Sequence, residues 1–291
     1  MDTIYLPIRA FGDFTISAAV LKKSGAEKIP ILLPKYLIEL FNALEGENIF
    51  HVVDIIQLDK YHKLFQLRKV TSVKVFRELL FEIKTLKKSL HKKNRYLLDY
   101  RSKRARILSN KLYFPALKDN IYHAKAALFA KHFNINADVI YVPQKKIQVK
   151  NIVLFPGSRL ASKALSDELV ACIFSALKEQ GFNVTIVYHE SEKTLLKDVD
   201  YFKNFTALKK LVMSADLVIS ADSLPLHIAN FFDKFHFVIY NGHGNYRWET
   251  PSTRYYNSSA VYLNNKEEVV KNIFRFIAVV HNAVLEPITV S

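Results

Sequence analysis

Residues 216–240, DLVISADSLPLHIANFFDKFHFVIY, decide how the rest of the chain is read. DLVISA (216–221) is an apolar run of strand length, PLHIANFF (225–232) a short helix, and FHFVIYNG (235–242) a second strand. Strands alternating with helices in this way imply a parallel sheet with helices on its faces. Between strand and helix stand Asp222, Ser223, Leu224 and Pro225, with His227 in the first turn. A proline suits that turn because its missing N–H would have had no partner. The remaining free N–H groups and the positive helix end attract an anion such as a pyrophosphate. A plainer reading makes Ser223 a helix cap and His227 a buried imidazole.

The same rhythm extends in both directions. NIVLFPGSR (151–159) is strand then loop, LSDELVACIFSALKEQG (165–181) a helix capped by Ser166 or Asp167 and ended by Gly181, FNVTIVYH (182–189) a strand, and FTALKKLVMSA (205–215) a helix. The first half opens with TIYLPI (3–8), a helix FTISAAVLKKSG (14–25), IPILLP (29–34), KYLIELFNAL (35–44) and FHVVDII (50–56). RYLLDY (95–100) is a further strand and IYHAKAALFAKHF (121–133) a helix. The polar stretch 134–150, with Pro143 and no helical period, reads as the linker. Two α/β domains result, 1–140 and 151–265, followed by a C-terminal helix segment, 266–291, expected to pack back on the first domain. Ligands bind beyond the carboxyl ends of such strands, so the loops after residues 8, 156, 189, 221 and 240 are the places for chemistry.

Composition narrows the classes. With 291 residues, half of them hydrophobic, the chain can bury two ordinary cores. Its one cysteine, Cys172, sits in the apolar run LVACIF and fits a reducing compartment, so a cytoplasmic protein is expected. No apolar run nears the roughly 18 residues that span a bilayer, and the start lacks a basic-then-apolar leader pattern. The net charge of +15 is concentrated between residues 60 and 111, where 17 Lys and Arg face three acids, Glu78, Glu82 and Asp99. Within that insert, Val73, Phe76, Leu79, Leu80, Ile83, Leu86 and Leu90 recur at helical spacing, which predicts an amphipathic helix over 71–93 with a basic outer face. The patch fits a nucleic-acid surface, a dock for anionic lipid or phosphorylated glycan, or a solvated helix face.

The remaining motifs lie on the expected loops. FPGSRLASK (155–163) gathers Ser158, Arg159, Ser162 and Lys163, groups suited to phosphate oxygens, although its glycines do not match a Walker loop. RAFGDF (9–14) brings Asp13 to the end of the first strand, as a helix cap or a general base. The DVD of 198–200 sits in a polar loop rather than after an apolar strand, so no metal site is expected there. The chain has no zinc spacing, no Gly-x-Ser-x-Gly elbow and no Gly-x-Gly-x-x-Gly fingerprint.

Taken in order, RAFGD (9–13), FPGSRLASK (155–163) and DSLPLH (222–227) resemble the motifs of the bacterial heptosyltransferases, glycosyltransferase family nine. TALKKLVMSADLVISADS (206–223) is similar to that family's approach to its nucleotide site. The resemblance implies a GT-B fold, two Rossmann-like domains with parallel sheets facing across a cleft. It implies Asp13 as the base, Lys163 facing the donor diphosphate, and Asp222, Ser223, Leu224 and His227 contacting the donor, with Ser158, Arg159, Ser162 and, at the ribose, Glu190 beside them. Arg9, Arg101, Lys103 and Arg104 are assigned to the acceptor. The implied reaction is an inverting, metal-independent transfer of a heptose-like sugar from a nucleotide-diphosphate donor, possible with ADP, to lipopolysaccharide or another surface glycan, with no cofactor. The basic insert fits a phosphorylated, lipid-linked acceptor at an anionic membrane surface, the inner face of the cytoplasmic membrane, rather than nucleic acid. Leu224 and Pro225 depart from the family's usual glycine after Asp-Ser. The alternatives are a sugar-nucleotide epimerase or hydrolase of the same fold, and a basic nucleic-acid-binding protein.

Overall fold

The computed structural model describes residues 3–25, 27–58, 94–98, 120–136, 147–241, 248–255, 260–262 and 265–282, with scattered positions between 72 and 90. The chain divides into two compact units: Met1–Asp119 with His123–Asp138, and Asn120–Tyr122 with Val139–Ser291.

In the first unit, strands β1 (Thr3–Leu6), β2 (Ile29–Pro34), β3 (Phe50–Ile56) and β4 (Arg95–Leu98) form a parallel sheet in the order β3-β2-β1-β4. Alternation along β1 decides its two faces. Ile4 and Leu6 join Leu32, Ile56, Tyr96 and Leu98 in one core, while Tyr5 turns to an aromatic cluster with Phe50 and Phe129. The helix after β1 runs Phe11–Ser24 and stops where Gly25 takes a left-handed conformation, φ 60°, that a side chain disfavours. It starts three residues earlier than its sequence pattern suggests, so Asp13 lies inside the first turn, where a carboxylate complements the helix dipole.

In the second unit, β5 (Asn151–Phe155), β6 (Asn183–His189), β7 (Asp200–Phe202), β8 (Leu217–Ala221), β9 (Phe235–Tyr240) and β10 (Ala260–Tyr262) form a parallel sheet in the order β10-β9-β8-β5-β6-β7. This is the doubly wound 3-2-1-4-5-6 arrangement, and its order reverses between β5 and β8, where ligands bind in such sheets. Helix Asp167–Glu179 begins at Ser166, whose hydroxyl accepts from the Leu169 N–H at 3.3 Å. Helix Phe205–Ser214 begins at Asn204, whose side chain accepts from Ala207 N–H at 2.8 Å. Every residue of β8 and β9 is buried, as expected of continuous apolar runs in a sheet covered on both faces.

The C-terminal helix adds to the second core. Over Lys266–Asn282 it places Val269, Ile273, Phe276, Ile277 and Val280 in the core of the second unit, together with Leu154, Ile219 and Phe237. Those positions form one helix stripe, and the sheet of its own unit is what buries them. It is part of that unit's core.

Candidate functional site

The reversal point between β5 and β8 gathers the predicted donor residues. The chain leaving β5 passes Gly157 and Ser158, makes a short turn at Ala161–Lys163 and enters the next helix. That loop is held by Leu165 N–H donating to Pro156 O at 2.9 Å. Asn241, just past β9, donates to the carbonyls of Ser162 at 3.2 Å and Ala164 at 2.8 Å. The result is a fixed position for Lys163, whose Nζ lies 2.5 Å from Asp222 Oδ2. Asp222 follows β8, and the pair exists because β5 and β8 are neighbours, Phe155 registering with Ser220. The lysine side chain keeps 30% of its surface exposed and the aspartate only 4%, so the cation stands at the rim with its counter-ion behind it. Lys163 Nζ also lies 5.8 Å from the centre of the Trp248 ring.

Ser223 occupies the cap of helix Leu224–Phe231, yet its side chain makes no cap hydrogen bond. The capping reading of Ser223 therefore fails at the side-chain level. Its hydroxyl is a buried oxygen with no hydrogen-bond partner among the described residues. Pro225 through Phe231 are all buried, which fastens the helix and fixes where its N-terminal amides point.

His227 is also buried, and the Tyr122 hydroxyl lies 3.0 Å from its Nδ1. Burial, opposed in part by Asp222 and aided by Lys163, pulls the imidazole down to about 4. The ring is therefore neutral near pH 7. Burial, reinforced by Asp222, raises Tyr122 well above its ordinary value, so the phenol keeps its proton. With the phenol donating to Nδ1, the imidazole carries its own proton on Nε2 and is a neutral donor. Sequence reading reached His227 but not Tyr122, which lies 105 residues away and has no motif around it.

At the neighbouring strand ends, Glu190 is exposed and its N–H donates to Phe202 O at 3.1 Å. A different acid turns inward: Glu192 accepts from His189 N–H at 2.9 Å, and its carboxylate fills the space a side chain at Gly157 would need. Gly157 thus serves close approach rather than a special backbone angle, a role invisible without knowing that β5 and β6 are adjacent. Arg159 and Ser162 are exposed, and Ser158 is half-buried on the same loop.

In the first unit, Asp13 is buried and Arg9 NH1 lies 3.1 Å from its Oδ1, one helical turn away. Arg9, assigned to an acceptor from its sequence, here also partners Asp13. Beneath it, Ser17 receives the Lys125 ammonium at 2.6 Å, lies 2.7 Å from the Tyr5 hydroxyl, and donates to Asp13 O at 3.1 Å. Arg101, Lys103 and Arg104 lie outside the described residues.

No family model matches the chain, and no curated protein matches it in sequence. Solved structures do. E. coli heptosyltransferase WaaC with ADP is 11% identical, with 94% of this chain and 99% of that one covered at a TM-score of 0.63. A glycosyltransferase of family 9 from Veillonella parvula is 12% identical, with 96% and 98% covered at 0.60. E. coli ADP-heptose lipopolysaccharide heptosyltransferase II is 13% identical, with 96% and 99% covered at 0.50. The fold is that of the GT-B glycosyltransferases, two Rossmann-like units with parallel sheets.

Proposed function

We propose that this chain, folded as the GT-B glycosyltransferases are, transfers a sugar from a nucleoside-diphosphate donor to a glycan acceptor. The observation that carries this reading is the ion pair of Lys163 and Asp222 beside the N-terminus of helix Leu224–Phe231, at the reversal point of the second sheet. Asp222 holds the Lys163 ammonium at the rim, where it meets phosphate oxygens. The amides at Ser223 and Leu224 add donors, while Pro225 supplies none. The Nε2 proton of neutral His227 is a further donor that costs no net charge, and Glu192 suits a ribose hydroxyl better than the exposed Glu190.

In the transfer, an acceptor hydroxyl oxygen bonds to the anomeric carbon from the side opposite the phosphate, and the bond from that carbon to the phosphate oxygen breaks. The configuration inverts, the hydroxyl proton passes to Asp13, and the nucleoside diphosphate departs with the bonding electrons. Lys163 and the helix N-terminus stabilise the charge that develops on the leaving oxygen, without need of a metal. The acceptor that fits a strongly basic insert is a phosphorylated, lipid-linked glycan at the inner face of the cytoplasmic membrane.

A thermal-shift panel of nucleoside diphosphates and their sugars tests the donor half, because a ligand bound only by the native form raises the melting temperature. ADP or ADP-heptose is expected to raise it in the wild type and not in Lys163→Ala. No shift with any member of the panel would overturn the reading. Release of a modified sugar from the donor without any acceptor would reassign the chain to a hydrolase or epimerase.

A further inference from the structure

We propose that Lys125 is a positioning residue for Asp13, acting through the hydroxyl of Ser17 to hold that carboxylate in place and charged. The proposal rests on the reading of Asp13 as the base for the acceptor, and all of its residues belong to the first unit.

Lys125 lies on helix Ile121–Phe133, one turn before Phe129, and is fully buried. Lysine is almost never buried in full unless its ammonium is paired. The Phe129 ring meets that of Tyr5 at 5.2 Å, and Tyr5, Phe14 and Phe50 are themselves out of water, so the cation ends beside an aromatic core. There its ammonium donates to Ser17 Oγ at 2.6 Å. Ser17 has a single hydroxyl proton, which goes to the Asp13 carbonyl at 3.1 Å, so the Tyr5 hydroxyl, 2.7 Å away, is a second donor to the same oxygen. A charged donor polarises the hydroxyl it binds and strengthens the bond that hydroxyl makes onward. The onward bond ends on the residue that carries the carboxylate, in the first turn of helix Phe11–Ser24.

Charge leads to the same partnership. Among the described residues of the first unit, Asp13 is the only buried carboxylate and Lys125 the only buried cation. Arg9 reaches Asp13 Oδ1 at 3.1 Å but keeps 20% of its side chain exposed, where water and salt screen it. Lys125 is sealed from solvent, and an unscreened cation favours the ionised form of a nearby carboxylate. An apolar side chain of similar length would fill the same slot without the cost of desolvating a charge, so packing alone does not account for the ammonium. When Asp13 takes up the acceptor proton it becomes neutral and withdraws its charge from both Arg9 and Lys125, which drives the proton on to solvent and restores the base.

The test is the pH titration of the Asp13 carboxyl, followed by carbon NMR in the full chain labelled at aspartate and assigned by the signal missing from Asp13→Asn. In Lys125→Met the midpoint is expected to rise by about half a pH unit. Lys125→Gln, the second variant, keeps a donor for Ser17 without the charge and is expected to show the same rise. Tyr5→Phe removes a neutral donor and leaves the relay, so the midpoint should stay in place. Circular dichroism shows which variants are folded. An unchanged midpoint in either folded Lys125 variant would overturn the proposal, as would an equal rise in Tyr5→Phe. In transfer assays, Lys125→Met should lower kcat about tenfold with the donor KM unchanged, and should cost nothing further in the Asp13→Asn background. An equal loss in both backgrounds marks a merely structural lysine and would also overturn it. The titration needs no turnover, so it separates the two readings: full activity in Asp13→Asn removes the base, whereas a fixed midpoint removes the partnership with Lys125.

Discussion

Lys163 and Asp222 meet at 2.5 Å although 59 residues separate them, and the carboxylate is far more buried than the cation. The pair is thus asymmetric: removing the lysine strands a buried charge, whereas removing the aspartate releases a solvated one. Lys163→Met is expected to lower both stability and affinity for ADP, the latter at least tenfold, about 1.4 kcal/mol. Asp222→Asn should weaken ADP less while loosening the position of Lys163. Calorimetric titration with ADP and thermal melts of both variants give the comparison.

Asp13 is expected to act on the proton of the acceptor rather than on the donor. Asp13→Asn keeps the size of the side chain next to Arg9 and should lower kcat by about 10²- to 10⁴-fold with ADP affinity unchanged. Steady-state transfer assays alongside ADP titration separate the two effects, and full retained activity would remove Asp13 from the mechanism.

His227 sets a direction for the acid response. Its folded value near 4 lies below the ordinary 6.5, so between those two values the unfolded chain binds more protons and folding weakens as pH falls. The full effect is up to about 3 kcal/mol, present above pH 6.5 and lost as pH falls to about 4. His227→Gln should flatten the stability curve across that window, as urea melts at stepped pH would record. Tyr122→Phe removes the partner of Nδ1 and should change the pH profile of kcat more than the affinity for ADP.

Gly157 is closed to a side chain by Glu192 rather than by backbone. Gly157→Ala should push the carboxylate off the His189 N–H at a cost of about 0.5–1.5 kcal/mol, the net worth of one hydrogen bond. Adding Glu192→Ala should relieve the clash, so the double variant melts no lower than Glu192→Ala alone.

The terminal helix is part of the second core, and Phe276 within it is fully buried. Phe276→Ala is expected to destabilise the second unit by about 3–5 kcal/mol, read from its urea midpoint.

Most strands and helices were legible because they depend on local pattern, whereas the three-residue edge strands β7 and β10 are too short to show one. Continuous apolar runs such as LVISA and HFVIY need both faces of a sheet covered, and Ser166, Gly25 and Gly181 punctuate the helices in their usual roles. The strand-to-helix turn at Asp222 to His227 was legible for the same reason, since a strand end, a Pro and a following helix are contiguous. Tyr122, Glu192 and the pairing of Lys163 with Asp222 were not, because each depends on which strand lies beside which.

The basic helix marks the boundary most clearly. Its sequence determined that Val73, Phe76 and Leu80 share a face, because 3.6 residues per turn is a property of the backbone alone. Whether each of its apolar residues is covered was decided by tertiary structure, which leaves Val73, Phe76 and Leu80 exposed and packs Leu90 against the first core, while burying the similar stripe of Lys266–Asn282 against a sheet. Periodicity is fixed by local geometry, whereas burial and the partnership of distant side chains are fixed by which elements come to lie next to each other.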